Sequence, residues 1–500
     1  MVKEEISEAE QKFERIRKTA SLFVGPLLFL AIMFADLPAL SPEAHKLGAV
    51  LGLVLVYWVG EPIPIPATAL LGPVLCIILG VDKSKAVFAP FAHPIIFLFI
   101  GSFMLAQAMK VHRLDYRISV RVLSFKWVGE SYFRVFLAIA LIPMVISMWI
   151  SDSATTAMIY PITIGIAAMV NHLSKAGGGK FNVGLLLAIA YSALIGGIGT
   201  PIGTPPNLIG IGMMDKLMGY KMPFYLWMQV AIPIMLVMFL VMVGYMYLMH
   251  SPPEREITGL SAYIAERRAE LGDWTRGQKN TASAFGLAIF LWILPGLTAA
   301  IFGTSSGAYK FLDENLHEEV VSLIAVMVLF LAPVDWQKRE FTLSWKDAVG
   351  IDWGTILLFG GGLSLGGLMF STKLADVMGT YIISATGVDT LWEITAVATA
   401  LAILITEVTS NTATANMMVP LTISICHTAG ISGIPPVIGV CLGASMAFML
   451  PVSTPSNAIV YASGRVPITA MIKAGAALDI LSFIVILAGL RILCPLLGLA

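Results

Sequence analysis

The residues with the most chemistry to offer come in matched pairs. Ser151-Asp152-Ser153-Ala154-Thr155 interrupts one apolar stretch, and Ser410-Asn411-Thr412-Ala413-Thr414 interrupts another 259 positions later. A second polar break follows each of them, Gly203-Thr204-Pro205-Pro206-Asn207 and Ser453-Thr454-Pro455-Ser456-Asn457, and these lie 250 positions apart. Hydroxyl, amide and carbonyl oxygens of this kind can coordinate a small hard cation, and an interrupted helix offers free N–H groups and a positive dipole end to an anion. The same signature twice, in the same order, marks an internally duplicated chain.

Composition sets the medium in which that chemistry operates. Hydrophobic residues make up 57% of the 500 and charged residues only 12%, with a mean hydropathy of +0.85, too little charge to cover a water-soluble surface of this size. Apolar runs of about 20 residues recur, as spans of a bilayer require. Lys and Arg together number 31, as do Asp and Glu, so the basic excess that phosphate binding needs is missing and nucleic acid is not an expected partner. Cys76, Cys426, Cys441 and Cys494 are scattered through apolar segments without a paired spacing and read as small core residues.

The chain is expected to be an all-α polytopic membrane protein of about 11 transmembrane helices. Residues 1–20 are charged and read as a cytoplasmic amphipathic helix. Residues 21–249 hold the first repeat behind an extra N-terminal span, with a re-entrant hairpin at 132–172 and a broken helix at 182–215, since Pro and Gly end regular helix there. A cytoplasmic linker spans 250–280, the second repeat fills 281–463 with a hairpin at 388–426 and a broken helix at 434–463, and a final span occupies 464–500. Lys110, Arg113, Arg117, Arg121 and Lys126 fall where the chain returns to the cytoplasm, as the excess of cations on that side demands. Counting crossings, the first hairpin opens from inside and the second from outside, so the repeats have inverted topology. Phe97-Leu98-Phe99-Ile100-Gly101 and Leu357-Leu358-Phe359-Gly360-Gly361 also correspond. Glu407 is intramembrane by position and reads as a cap or bridge within its hairpin, or as a coupling group. Trp58, Trp149 and Trp353 read as interfacial anchors.

Non-helical backbone is tolerated at membrane depth only when buried in protein or lining a watery cavity. Four breaks in symmetric pairs therefore imply one shared polar cavity near the midplane. No Lys or Arg lies inside either hairpin core, so an anion there would be held by dipoles, hydroxyls and co-bound cations.

These residues resemble the divalent anion/sodium symporter family, whose members carry two Ser-Asn-Thr hairpin tips. Ser410-Asn411-Thr412 matches that motif, Ser151 matches its first position, and the run Ala444 to Ser453 with Asn457, Ile459 and Val460 is similar to the family's C-terminal signature. The resemblance implies an elevator-type homodimer in the cell inner (plasma) membrane, with a cytoplasmic N-terminus, that moves small dianions such as succinate, malate or fumarate with sodium ions. Carried over, Ser147, Ser151, Asp152 and carbonyls near Gly199 or Gly203 would hold one sodium, and Thr406, Thr409, Asn411 and Ser453 another. Asp152, Ser153, Thr204, Asn411, Thr412, Thr454 and Pro455 would touch substrate.

Asp152-Ser153 stands where the family pattern has Asn-Thr. A carboxylate beside a dianion is repulsive by several kcal/mol unless a cation lies between them or the group is protonated, so tighter cation binding at the first site or proton coupling is expected. Three further readings stay open at this point: proton-coupled transport, exchange of another anion such as sulfate, and a cation/proton antiporter using Asp152. An enzyme is not expected, because H-E-x-x-H is absent and no histidine adjoins Ser151-Asp152.

Overall fold

Local capping and proline placement divide the chain into helices almost everywhere. The computed structural model describes residues 8–173, 179–252, 257 and 259–500. In chain order the first half contains α1 (Glu8–Phe34), α2 (Pro42–Gly60), α3 (Ile65–Ile78), α4 (Ser84–Phe88), a 3-10 turn (Ala89–Ala92), α5 (Pro94–Val111), α6 (Leu114–Leu123), α7 (Tyr132–Ser147), α8 (Asp152–Leu173), α9 (Gly179–Gly197), α10 (Pro205–Met218) and α11 (Phe224–Met249). Then follow α12 (Leu260–Glu270), α13 (Arg276–Phe302), α14 (Gly307–Asn315), α15 (Glu318–Leu331), a two-stranded hairpin of β1 (Pro333–Asp335) and β2 (Glu340–Phe341), and α16 (Trp345–Ala348). The chain closes with α17 (Trp353–Ser371), α18 (Leu374–Thr386), α19 (Leu391–Thr406), α20 (Asn411–Ala429), α21 (Ile434–Ala444), α22 (Pro455–Tyr461) and α23 (Ile468–Leu496).

Several starts follow from single residues. The Ser41 hydroxyl accepts from the Ala44 amide at 3.1 Å with Pro42 at the first helical position, and Thr275 and Thr390 each form a reciprocal capping box with Gln278 and Glu393. Among the described residues nine helices are long and apolar enough to cross a membrane. Tyr132–Ser147 and Ile434–Ala444 are apolar but shorter, because each is one arm of an interrupted element. Helices α18 and α19 are bent by 98° at their break.

The packing is reciprocal between the halves. Helix α3 packs on α17 while α15 packs on α5, and α10 lies on α20 while α22 lies on α8. A pair of repeats related by a two-fold axis generates this exchange. Phe99 and Phe359, counterparts in the repeated Phe-Gly run, meet with ring centroids 5.5 Å apart, and α11 packs on α23. The first long arm, α9, is buried on all sides from Phe181 to Gly197 apart from Val183, which is half-buried, so the core of the molecule encloses the broken spans.

Three details depart from the reading of the sequence. The charged N-terminal segment and the first span form one helix, Glu8–Phe34, because no Gly or Pro occurs before Gly25-Pro26; residues 1–7 of the expected amphipathic helix lie outside the described residues. The linker carries a helix of its own, α12, to which Arg117 is fastened: its guanidinium donates to the carbonyls of Leu271, Gly272 and Asp273 at 2.5–3.1 Å. Trp58 is 2% exposed and packs in an apolar cluster with Leu47, Val54 and Leu365, so it is a core residue and not an interfacial anchor. All four cysteines are buried and unpaired.

Candidate functional site

The two hairpin tips and the two breaks converge. A cavity of about 520 Å³ is lined by Ser151, Asp152 and Ser153 of the first tip, Gly203 to Pro205 of the first break, Ser410 to Thr412 of the second tip and Ser453 to Pro455 of the second break. Further wall comes from α5 (Ser102 to Lys110), from Ile65 and Pro66 of α3, from Asp115 of α6, from Trp149 and Ile150 before the first tip, and from residues between Gly350 and Leu358 around the start of α17, and its charged lining is Lys110 with Asp115, Asp152 and Asp352. All seven residues considered for substrate contact (Asp152, Ser153, Thr204, Asn411, Thr412, Thr454 and Pro455) face this one space. Of the cation candidates, Ser151, Asp152, Gly203, Asn411 and Ser453 also line it, whereas Ser147, Gly199, Thr406 and Thr409 lie behind it, buried.

Each tip is a helix N-terminus held by its own serine. The Ser410 hydroxyl accepts from the Ala413 amide at 3.1 Å and the Ser151 hydroxyl from the Ala154 amide at 3.3 Å. Asp152 folds onto its neighbour: Oδ1 accepts from the Ser153 amide at 2.7 Å and from the Ser153 hydroxyl at 3.2 Å. At the second tip the Thr406 hydroxyl makes 2.7 Å contacts with Asn411 Oδ1 and the Ala444 carbonyl, and the Thr409 hydroxyl lies 2.8 Å from that of Thr414.

The breaks are pinned by a symmetric pair of asparagines. Asn207 Nδ2 donates to the carbonyls of Gly197 at 3.0 Å and Thr200 at 2.8 Å. Asn457 Nδ2 does the same to Ala447 at 2.9 Å and Leu450 at 3.0 Å. Donors and acceptors alike are 250 positions apart, so one device serves both copies, and it satisfies carbonyls that unwinding has freed. Both Asn207 Oδ1 and Asn457 Oδ1 are buried without a partner among the described residues. Replacing either asparagine by leucine is expected to destabilise the protein by about 2 kcal/mol, from two lost hydrogen bonds in an apolar interior, read as a lower Tm of the purified protein.

The first break carries an oxygen cradle. A Cβ on Gly203 would stand 2.4 Å from the Gly197 carbonyl oxygen, 2.8 Å from that of Ser147 and 3.0 Å from that of Met148. The Ser147 hydroxyl is fully buried and has no hydrogen-bond partner among the described residues. Converging carbonyls beside an unpartnered buried hydroxyl suit a hard monovalent cation that accepts neutral oxygen ligands. No group of three or more His, Cys, Asp or Glu side chains gathers among the described residues, and the donors at Gly203 are neutral oxygens, a type of ligand that hard cations accept.

Glu407 does not act within its hairpin. It reaches across to the second break, where Oε1 accepts from the amides of Phe448 at 2.6 Å and Met449 at 2.9 Å, and Oε2 accepts from the amide of Leu450 at 3.2 Å and the hydroxyl of Ser453 at 2.8 Å. The free amides of this break are thus filled by an internal carboxylate. The first copy has Met148 at the position that corresponds, so the two sites are not chemically equal. Gly362-Leu363-Ser364-Leu365-Gly366 has the spacing of a hydrolase nucleophile motif, yet it lies inside α17 with the Ser364 hydroxyl donating to the Val87 carbonyl at 2.7 Å, and the strand-to-helix turn that such chemistry needs is not there.

Comparison with known proteins decides the lineage. The model of the sodium:sulfate symporter transmembrane region matches residues 17–499. The chain belongs to this family. It is similar to the sodium-dependent dicarboxylate transporter SdcS of Staphylococcus saprophyticus, 31% identical over 97% of this chain and 93% of that one. It is also 31% identical to SdcS of Staphylococcus aureus strain USA300, over 93% of this chain and 89% of that one, and to an uncharacterized transporter of Haemophilus influenzae, over 94% and 96%. Among solved structures, Alcanivorax borkumensis YdaH covers 96% of this chain and 98% of its own with a TM-score of 0.54 at 12% identity, and Neisseria gonorrhoeae MtrF covers 84% of each chain with a TM-score of 0.55 at 13% identity. Those two likenesses establish the fold alone. Family and relatives are transporters, and this family member is a transporter and not an enzyme.

Proposed function

We propose that the protein couples the movement of a small dianion, a C4-dicarboxylate such as succinate, malate or fumarate, to sodium ions. The observation that carries this reading is the cavity in which two hairpin tips and two breaks meet, with the Gly203 carbonyl cradle and the unpartnered Ser147 hydroxyl behind it. One sodium is assigned to Ser147, Ser151, Asp152 and carbonyls near Gly199 and Gly203, and a second to Thr406, Thr409, Asn411 and Ser453. The dianion is assigned to Asp152, Ser153, Thr204, Asn411, Thr412, Thr454 and Pro455, its charge balanced by the co-bound cations because Lys110 is the one basic residue among those lining the cavity. The two helix N-termini at Asp152 and Asn411 add positive dipole ends. Relatives named as sodium-dependent dicarboxylate transporters support both the ion and the substrate class.

The cycle assigned to this site is alternating access by an elevator movement in a homodimer, within the plasma membrane and with the N-terminus in the cytoplasm. The chain's own residues bind and orient: the tips supply hydroxyls and amides, the asparagine pins keep the breaks open, and the sodium ions supply the charge that lets the dianion dwell in a low-dielectric site. Uptake of labelled succinate by proteoliposomes, with and without inward sodium and proton gradients, internal counter-substrate and competing sulfate, tests the reading. Sodium-driven accumulation of succinate is the expected result. Uptake that ignores sodium, or that requires internal dicarboxylate, would replace symport by proton coupling or exchange.

A further inference from the structure

The two copies are related by symmetry but are not in the same state: one end of the molecule is closed and the other is open. Helix α10 packs on α5 and α17, whereas its counterpart α22 makes no comparable contact with either among the described residues. Gly212 of α10 is buried at the closed end, where a Cβ would stand 2.6 Å from the Phe359 ring and 3.2 Å from the Ile95 side chain. Ala462, 250 positions later as in the asparagine pins, is exposed. The cavity lies at the open end, between the C-terminal half of α5 and the start of α17, and Asp352 borders it there. Helices α5 and α17 therefore run in opposite directions, and their N-termini mark opposite ends.

A polar contact fastens the closed end. His93 caps α5, its Nδ1 accepting from the Ile95 amide at 3.4 Å, so the neutral ring carries its proton on Nε2. That nitrogen stands 3.3 Å from Asp215 Oδ2 in the last turn of α10. The corresponding places in the other copy carry the reverse chemistry. Asp352 caps α17, accepting from the Thr355 amide at 3.1 Å and the Thr355 hydroxyl at 2.6 Å, and Arg465, 250 positions after Asp215, follows the end of α22. Both are exposed, and neither joins an ion pair among the described residues. Each copy thus pairs a proton donor with an acid, with the two roles interchanged between cap and break helix.

We propose that Asp352 and Arg465 form the second of two alternating locks. This rests on the alternating-access reading of the site. When inverted copies exchange conformations, the second copy adopts what the first shows now: the open end closes, Arg465 meets Asp352, and Asp215 leaves His93. Asp352 keeps its cap in both states, because a carboxylate accepts more than two hydrogen bonds. Exposed ion pairs contribute little individually, which suits a contact that has to be released in every cycle; each lock biases one state without trapping it.

The test places thiols at both locks. Asp352→Cys with Arg465→Cys, and separately His93→Cys with Asp215→Cys, are treated in membranes with a short, cleavable bifunctional thiol reagent. The four native cysteines are buried, and each single variant measures the background. Both pairs cross-link, each cross-link lowers sodium-driven succinate uptake by about tenfold or more, and cleavage restores it. Absence of the Asp352–Arg465 cross-link, whether or not the other forms, overturns the proposal. Should a cysteine variant not fold, Asp352→Asn, which still caps, is combined with Arg465→Gln. Each alone lowers the initial uptake rate about fivefold, and together they also lower it about fivefold, whereas independent residues would multiply to about 25-fold. Multiplied effects, or wild-type rates in both single variants, overturn the lock. Cross-linking needs no substrate, so a wild-type protein that takes up no succinate beside an intact Asp352–Arg465 cross-link would sink the substrate assignment and keep the lock.

Discussion

Gly203→Ala is expected to abolish sodium-dependent uptake, lowering it by about 100-fold or more, equivalent to about 2.7 kcal/mol in the coupled binding step. The added Cβ would press on three backbone oxygens, those of Gly197, Ser147 and Met148, at 2.4 to 3.0 Å. None of these is the far end of a flexible side chain, so the break itself has to move, and a displacement of about 0.5 Å is enough to spoil a preorganised site. Gly367→Ala serves as the control, because its Cβ has nothing within 4 Å and uptake should stay at the wild-type level. Both variants are compared at equal membrane abundance across a sodium titration. Full sodium-driven uptake in Gly203→Ala would show that the carbonyl cradle holds no coupling ion.

The second large effect is expected from Asp152→Asn. The side chain lines the cavity and accepts hydrogen bonds from Ser153 alone, and no Lys or Arg forms a salt bridge with it among the described residues. An ionised carboxylate next to a cation at low effective dielectric contributes several kcal/mol of attraction. Removing its charge should raise the sodium half-saturation by about tenfold or more. The same change removes repulsion toward the dianion, so the succinate KM at saturating sodium should stay level or fall. Sodium and proton titrations of uptake that superimpose on wild type would show that Asp152 takes no part in coupling.

The duplicated polar signature was readable because lipid leaves so few reasons for Ser, Thr, Asn and Pro to interrupt an apolar run. Spans, tips and breaks followed from that contrast, and the tips indeed meet. What the sequence could not convey were partnerships that depend on which helices cross. Glu407 finds its amides at Phe448 to Leu450, about 40 residues away, whereas a local reading offered a cap or bridge inside the hairpin, or a coupling group, and none of these names the second break. Asn207 and Asn457 were visible as part of the repeat, yet their grip on Gly197 and Ala447 needed the geometry of the unwound turns. Trp58 sat near a span end, which usually means an interfacial position, but α3 and α17 cover it. The continuity of α1 was missed for a simpler reason: a change from polar to apolar composition alters the surroundings of a helix without breaking it, and no helix breaker lies at the change.

The acidic first tip has an electrical consequence. If Asp152 stays ionised when nothing is bound, the proposed elevator movement of the empty carrier would carry one elementary negative charge with the tip. A potential of 100 mV acts on such a charge with about 2.3 kcal/mol over the full membrane field. An inside-negative cell would then drive the unloaded protein outward, so that voltage, and not only the ion gradient, would reset the cycle.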